Sequence, residues 1–250
     1  RKVTKTSIQV PRYATVDFTG MVCERVWPYG KHLFMEFAAP GHGPQILHTH
    51  LKMEGTWSMH RAGERWRKPG HAARVVLRLS DEPRPDIELV GFSLGLVRVF
   101  PAREYDQQMG YLGPDLLAED FDEGEAVRRI EAHPDLEIGR ALLDQRNLAG
   151  IGNEYRAEIN FLAGTHPAAL VRDVDVAKHV RLARRLMWAN KDAPVRVTTG
   201  IKRAGETSYV FGRNNKPCRR CGTLITKGFL GGEGDLQRVI WWCPRCQPEP

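Results

Sequence analysis

The feature that most constrains this chain is a pair of cysteine knuckles near its end, Cys218-Arg-Arg-Cys221 and Cys243-Pro-Arg-Cys246. Two C-x-x-C steps supply four thiolates, the donor set of tetrahedral zinc, and the x-x spacing lets both sulfurs of a knuckle face one ion. The 21 residues between the knuckles leave room for a hairpin that brings the pairs together. Redox dithiols or free thiols are the plainer reading. However, four of the five cysteines fall in the last 33 residues and Cys23 stands apart, whereas a secreted disulfide protein spreads an even set along its length. One structural Zn2+ is therefore expected on Cys218, Cys221, Cys243 and Cys246. Four sulfur ligands leave no open position, so this metal would hold a fold and perform no chemistry. A zinc nucleobase deaminase also carries Pro-Cys-x-x-Cys but needs His-x-Glu as well. None of the nine histidines is followed two residues later by Glu.

The finger region is also basic, with Arg213, Lys216, Arg219, Arg220, Lys227, Arg238 and Arg245. The whole chain carries a net charge of +7 and a pI near 9.3, a balance that favours polyanionic partners, nucleic acid first. A solvated basic face is the alternative. No window approaches the roughly 18 apolar residues of a membrane helix, and the basic opening from Arg1 lacks the apolar stretch of a signal peptide. The expectation is a cytoplasmic, nucleoid-associated protein without membrane contact.

Residues 1–104 read as β-rich. Lys31-His-Leu-Phe-Met-Glu-Phe37, Ile46-Leu-His-Thr-His-Leu51 and Ala73-Arg-Val-Val-Leu-Arg-Leu79 have strand-like content, and Gly and Pro punctuate them. Several short strands at this spacing predict a sandwich or barrel. Residues 105–122, with Gly110-Tyr-Leu-Gly-Pro-Asp115, read as a linker. Beyond it the pattern turns helical over 123–133, 138–146, 154–161 and 173–190, with Asp173 as a candidate cap for the last helix.

Leu143-Asp-Gln-Arg-Asn-Leu-Ala-Gly-Ile-Gly-Asn153 joins two of those helices. Gly150 and Gly152 permit a tight turn, and backbone donors at a helix start attract phosphate. A helix connection capped by Asn153 explains the same residues equally well.

This stretch resembles the helix–two-turn–helix of the formamidopyrimidine-DNA glycosylase/endonuclease VIII family. Tyr209-Val-Phe-Gly-Arg213 running into Pro217-Cys218, and Gln237-Arg238-Val-Ile-Trp-Trp-Cys243-Pro-Arg-Cys246, are similar to its zinc-finger ending. Leu112-Gly-Pro-Asp115 resembles its hinge, and Gly30-Lys31-His32-Leu33 with His50-Leu-Lys-Met-Glu-Gly55 resembles its N-terminal motifs. The matches run in order from about residue 25 to 247. Val10-Pro-Arg-Tyr-Ala-Thr-Val-Asp17 is similar to the actinobacterial second endonuclease VIII branch.

The resemblance implies an α+β fold: an N-terminal β-sandwich domain at 1–104, a hinge at 105–122, a helix–two-turn–helix domain at 123–205 and a C-terminal β-hairpin zinc finger at 206–250. It implies a monomer that binds damaged DNA, excises oxidised bases and cleaves the abasic strand by β/δ-elimination. By motif position, Lys31 is implied at the active site, handling protons, where a plain surface lysine is the alternative. Met53 is implied as the wedge that fills the gap left by an everted base, where a core methionine at a strand end is the alternative. Lys52 and Glu54 flank it. Arg98 resembles the arginine of the family's Asp-x-Arg-x-Phe, although Leu96 replaces the Asp. Asn153 and Arg238 are implied to grip phosphates, with Arg238 also serving δ-elimination.

The gap between the knuckles is longer than the family's usual one, which implies an enlarged hairpin tip over Gly228 to Gly234. Residues 193–207 are short where the purine-specific branch carries a lesion-capping loop, so oxidised pyrimidines and abasic sites are the expected substrates. The family begins with Pro-Glu, whose proline amine attacks the sugar, and the resemblance implies that such a segment precedes Arg1. A non-catalytic binder of damaged or single-stranded DNA is the competing reading.

Overall fold

The computed structural model describes residues 1–231 and 238–250, which divide into two units, Arg1–Gly110 and Tyr111–Pro250. The first unit is built on strands β1 (Lys2–Ile8), β2 (Val22–Tyr29), β3 (His32–Ala39), β4 (His42–His50), β5 (Thr56–Arg61), β6 (Ala73–Asp81), β7 (Arg84–Phe92) and β8 (Leu96–Pro101). They form one antiparallel sheet in the order β5-β7-β6-β1-β2-β3-β4-β8.

β1 and β2 pair through Lys2↔Val22 alone. The sheet therefore breaks there into two four-stranded halves. Val3, Val75 and Leu77 of one half share a single buried cluster with Met35, Phe37 and Leu47 of the other. Such face-to-face burial is the sandwich expected from the sequence. Phe18 enters the same core and stacks on Phe37 at 4.4 Å. A short helix α1 (Tyr105–Met109) closes the unit.

The second unit holds helices α2 (Glu123–Glu131), α3 (Ile138–Ala141), α4 (Asn153–Ala163) and α5 (Val176–Asn190), then the hairpin strands β9 (Thr226–Leu230) and β10 (Arg238–Trp242). Its helical core gathers Leu116, Ile130, Ile138, Leu142, Ile151, Ile159 and Val180. A second cluster joins α4 to the hairpin through Ala157, Phe161, Val210, Ile225 and Ile240. Asp122 caps α2 by accepting from the Glu125 N–H at 2.8 Å. α4 stops at Gly164, whose φ of 76° suits a residue without Cβ.

Two helical expectations need correction. The last helix starts at Val176 and its cap is Asp175, which accepts from the Lys178 N–H at 2.8 Å, whereas Asp173 lies in a 3-10 turn. The helix expected over 138–146 ends at Ala141. There the Leu143 N–H has already tightened onto the Arg140 carbonyl, and Gln145 donates to the Leu143 carbonyl at 2.8 Å. The expected enlarged hairpin tip falls partly outside the described residues; Gly228 to Leu230 belong to β9. Among the described residues, no helix is long and apolar enough to cross a membrane.

Candidate active site and nucleic-acid interface

In the first unit, the ends of β3 and β4 gather the N-terminal site residues. His32 and His50 are cross-strand partners, and the turn from Leu51 to Gly55 leaves β4 at that point. The turn is closed by the Gly55 N–H on the Leu51 carbonyl at 2.9 Å. A Cβ at Gly55 would sit 2.4 Å from that oxygen, so the turn requires glycine there. Lys52 adopts φ 56°, and its N–H donates to His50 Nδ1 at 2.8 Å. That bond leaves the His50 proton on Nε2, a neutral donor.

The Lys52 stem lies over Gly95, where a Cβ would approach Lys52 Cγ to 2.1 Å. Met53 follows and is 92% exposed. This exposure removes the core-methionine alternative, because nothing in the first unit covers the side chain.

Lys31 sits in the turn between β2 and β3, beside Gly30 at φ 55°. Its charge reaches the same histidines. Burial first, then His50, Lys52, Lys31 and Arg98, lower His32 to about 4. Burial, then Lys52 and Lys31, lower His50. Burial, then His32, Arg98 and His50, hold His48 at about 3. His32 Nδ1 and His48 Nε2 share one hydrogen bond at 2.8 Å. Lysine charge and neutral histidine donors thus converge on one end of the sheet, an arrangement that attracts an anion. Histidines 32, 48 and 50 were missed by the sequence reading. For two of them, the alternation His48-Thr49-His50 within one strand was the available signal.

Arg98 is the outlier. It lies within β8 opposite His48, and the turn that meets Lys52 is Ser93–Gly95, ahead of it. Its side chain lines a cavity of about 340 Å³ with Arg12, Tyr13, Phe100, Glu104 and Gln108.

In the second unit, Gln145 braces the turn between α3 and α4. Its Oε1 accepts from the Gly150 N–H at 3.0 Å and its Nε2 donates to the Ile151 carbonyl at 3.0 Å. Gly150 has φ 115°, and a Cβ there would also meet Met187 at 2.9 Å.

The N-cap of α4 is Gly152, without a side-chain cap. Asn153 is instead turned toward the hairpin. Its Nδ2 donates to the Val239 carbonyl at 2.9 Å, and its Oδ1 accepts from Arg156. Arg156 donates to the same carbonyl at 3.0 Å. Arg156 is 1% exposed and lowered to about 10, by burial first and then by the nearby Arg238. The structure therefore ties Asn153 to Val239, the residue that follows exposed Arg238 on β10. Arg156 was not singled out from sequence, because α4 is buried on every side from Tyr155 to Phe161 and shows no polar stripe to read.

Glu158 anchors the segment that leads into the finger. Its carboxylate accepts from the Tyr209, Val210 and Phe211 N–H groups at 2.8, 2.8 and 2.9 Å, and from the Thr198 hydroxyl. The four knuckle sulfurs lie within 4.8 Å of one another, with Cys218–Cys246 at 3.9 Å and Cys221–Cys243 at 3.5 Å. A tetrahedron of sulfurs about 2.3 Å from zinc has edges near 3.8 Å, so the donor set fits that ion. The Thr223 hydroxyl and N–H lower Cys221 to about 6, while burial and the neighbouring sulfurs push Cys246 up to about 12. The four sulfurs are therefore close enough to hold one ion, which would favour the thiolate form of each.

Residues 112–198 match the pattern described as "Formamidopyrimidine-DNA glycosylase H2TH domain". A protein named "Probable endonuclease 8 2" from Streptomyces coelicolor is 41% identical over the whole of this chain and 88% of its own length. The chain belongs to the formamidopyrimidine-DNA glycosylase/endonuclease VIII family. Another member of the family, "Endonuclease 8 2" of Mycobacterium tuberculosis, is 42% identical, with 99% of this chain and 92% of that protein aligned. "DNA-(apurinic or apyrimidinic site) lyase Nei2" of Mycolicibacterium smegmatis is 41% identical over 99% of this chain and 91% of that protein. The fold is that of the Lactococcus lactis Fpg solved with DNA containing an abasic site, at a TM-score of 0.75, 21% identity, and 100% of this chain on 93% of that one.

Proposed function

We propose that this protein is a DNA glycosylase with abasic-site lyase activity in base excision repair, removing oxidised bases, pyrimidines foremost, and cleaving the strand by β/δ-elimination. The observation that carries the reading is Met53, 92% exposed on a turn whose preceding residue, Lys52, is held by His50 and packs over Gly95. An exposed unbranched side chain on a rigid turn is what a duplex needs in the gap left by an everted nucleotide, where it recovers part of the few kcal/mol of unstacking. The names of the relatives, endonuclease 8 and abasic-site lyase, support the same chemistry.

In this reading Lys52 and His50 hold the backbone at the damaged nucleotide, and Lys31 handles the proton moved in β-elimination. Asn153 and Arg238 take the phosphates next to the lesion. The Arg238 charge stabilises the leaving phosphate in δ-elimination. Arg98, in its cavity beside His48, adds positive potential near the histidines of the first unit. Zinc held by Cys218, Cys221, Cys243 and Cys246 fixes the hairpin that carries Arg238 and supplies structure alone. The preference for oxidised pyrimidines rests on the short 193–207 segment, where the purine-specific branch carries a lesion-capping loop.

The test is strand incision on duplexes carrying an abasic site or thymine glycol, with borohydride trapping of the imine and mapping of the peptide that bears the adduct. Incision of both, with the adduct on an α-amine, is expected. An α-amino group, with a reference pKa of about 8, is a better neutral nucleophile than a lysine near 10.4. Tight binding of both duplexes without incision would replace this reading with a non-catalytic binder.

A further inference from the structure

His48 is an imidazole where packing alone would place a hydrocarbon. It is 1% exposed, stacks on Phe34 at 4.6 Å and meets Phe100 edge-on at 6.2 Å. Trp27 and Tyr105 continue the same aromatic layer, each packed on Phe34. A polar atom buried in such a layer costs stability unless it is bonded. His48 Nε2 meets His32 Nδ1 at 2.8 Å, and His48 Nδ1 is buried without a partner. A tetrahedral zinc with bonds of ~2.0–2.1 Å would hold two ring nitrogens about 3.3 Å apart, so the contact is a hydrogen bond.

The direction of that bond follows from the buried atom. Burial lowers both rings, His32 to about 4 and His48 to about 3, so both are neutral near pH 7. If His32 donated, a neutral His48 would keep its proton on Nδ1, as a buried N–H without an acceptor. If His48 Nε2–H donates, Nδ1 is a bare acceptor. The orphaned donor is the costlier state, hence His48 donates. His32 then carries its own proton on Nε2.

His50 reaches the same state by another route, since its Nδ1 accepts the Lys52 N–H at 2.8 Å. His32 and His50 are cross-strand partners with ring centroids 4.9 Å apart. Both rings are half-buried, and neither Nε2–H has an acceptor among the described residues. Lys31, Lys52 and Arg98 are the charged side chains that act on these rings, with no carboxylate among them. Two neutral donors in a cationic field fit an anion with more than one oxygen, as the non-bridging oxygens of a phosphodiester provide. The N–H that His50 accepts belongs to the residue before Met53, so the donor pair lies at the root of the exposed turn.

We propose that His48 fixes the tautomer of His32 and so makes His32 a binding residue, which donates together with His50 to the phosphate of the everted nucleotide. The proposal rests on the damaged-DNA reading and deepens it. His48 is a positioning residue, because it acts on the phosphate only through His32.

The experiment measures affinity near pH 7 for a duplex carrying a tetrahydrofuran abasic analogue. Two further duplexes replace the phosphate on the 5′ or the 3′ side of the lesion by an uncharged methylphosphonate. His32→Phe keeps a ring and loses the donor. It should weaken binding to the all-phosphate duplex about tenfold, the lower end for a hydrogen bond to a charged group. That loss should vanish on one of the two methylphosphonate duplexes. The slope of log affinity against log salt should stay the same, because a neutral donor releases no counterion. His48→Phe should reproduce most of the loss, and His48→Gln, whose amide can still donate to His32 Nδ1, should restore binding. Imidazole nitrogen NMR of the free protein should place the His32 proton on Nε2, and His48→Phe should mix the two tautomers.

Unchanged affinity in His32→Phe would overturn the proposal, as would an equal loss on all three duplexes. A salt slope lower by about 0.9 would mean that His32 binds as a cation, which overturns the neutral donor. A proton on His32 Nδ1 would overturn the role of His48. His32→Phe and the spectra of the unaltered chain decide the matter even if His48→Phe fails to fold. If the unaltered protein binds the abasic duplex no better than an undamaged one, the damaged-DNA reading itself fails, a result distinct from the tautomer that the spectra report.

Discussion

The side-chain amide of Asn153 lies 2.9 Å from the carbonyl oxygen of Val239, so the first residue of α4 is tied to the residue after Arg238. The two are 86 positions apart in sequence. Buried Arg156 shares the same carbonyl and holds the other end of the Asn153 amide. This three-way contact makes the helix start and the hairpin one rigid surface.

Replacing Asn153 by Ala removes the tie to Val239 and leaves the Arg156 guanidinium short of a partner. A neutral hydrogen bond is worth about 1 kcal/mol and one to a charged group about 1.5–3. A loss of roughly 2–4 kcal/mol of stability is expected in urea unfolding. Incision of an abasic duplex should fall further than that loss of folded protein explains, because Arg238 loses its anchor.

Arg238 is exposed, so Arg238→Ala should fold normally. Its affinity for damaged duplex should show a salt slope lower by about 0.9, the equivalent of one phosphate. A titration across salt concentrations measures this directly, and an unchanged slope would mean a merely solvated charge.

Met53→Ala should leave the melting temperature unchanged, since the side chain is 92% exposed. Loss of the wedge should slow base excision about tenfold, corresponding to roughly 1.4 kcal/mol of unrecovered unstacking. Activity on an abasic site in a flexible single strand should change less, because there is no stack to prop open.

Metal analysis should return about one zinc per chain, from a single four-thiolate site. Cys218→Ser or a strong chelator should release the hairpin and abolish the salt-dependent contact of Arg238. A metal-free protein of unchanged stability would rule out the zinc assignment.

The histidine cluster sets a pH dependence. Burial holds His32 near 4 and His48 near 3, both below the ordinary 6.5. The unfolded chain therefore binds more protons than the native one between those values, and stability falls as pH drops through that window. Each histidine contributes at most about 1.4 kcal/mol per pH unit there, less where solvent screens it. Denaturation from pH 7 to 4.5 should show this decline, and His48→Gln should flatten it.

The sequence by itself determined the features that are written in consecutive residues. Four cysteines at knuckle spacing, the glycine-rich turn between two helices and the strand-like runs around Phe34 and Leu77 are local patterns, and they predicted the sandwich, the helical turn and the finger. Helix ends were less legible, since Asp173 and Asp175 offer the same cap and tertiary packing selects the second. Only the tertiary structure decided which distant groups meet. The convergence of His32 with His50 depends on strand register, the exposure of Met53 on what the surrounding fold fails to cover, and the burial of Arg156 and Glu158 on a hairpin and a turn more than fifty residues away packing over α4. Chain direction and spacing encode neighbours along the backbone, whereas contacts between remote segments arise from burial and hydrogen-bond satisfaction summed over the whole fold.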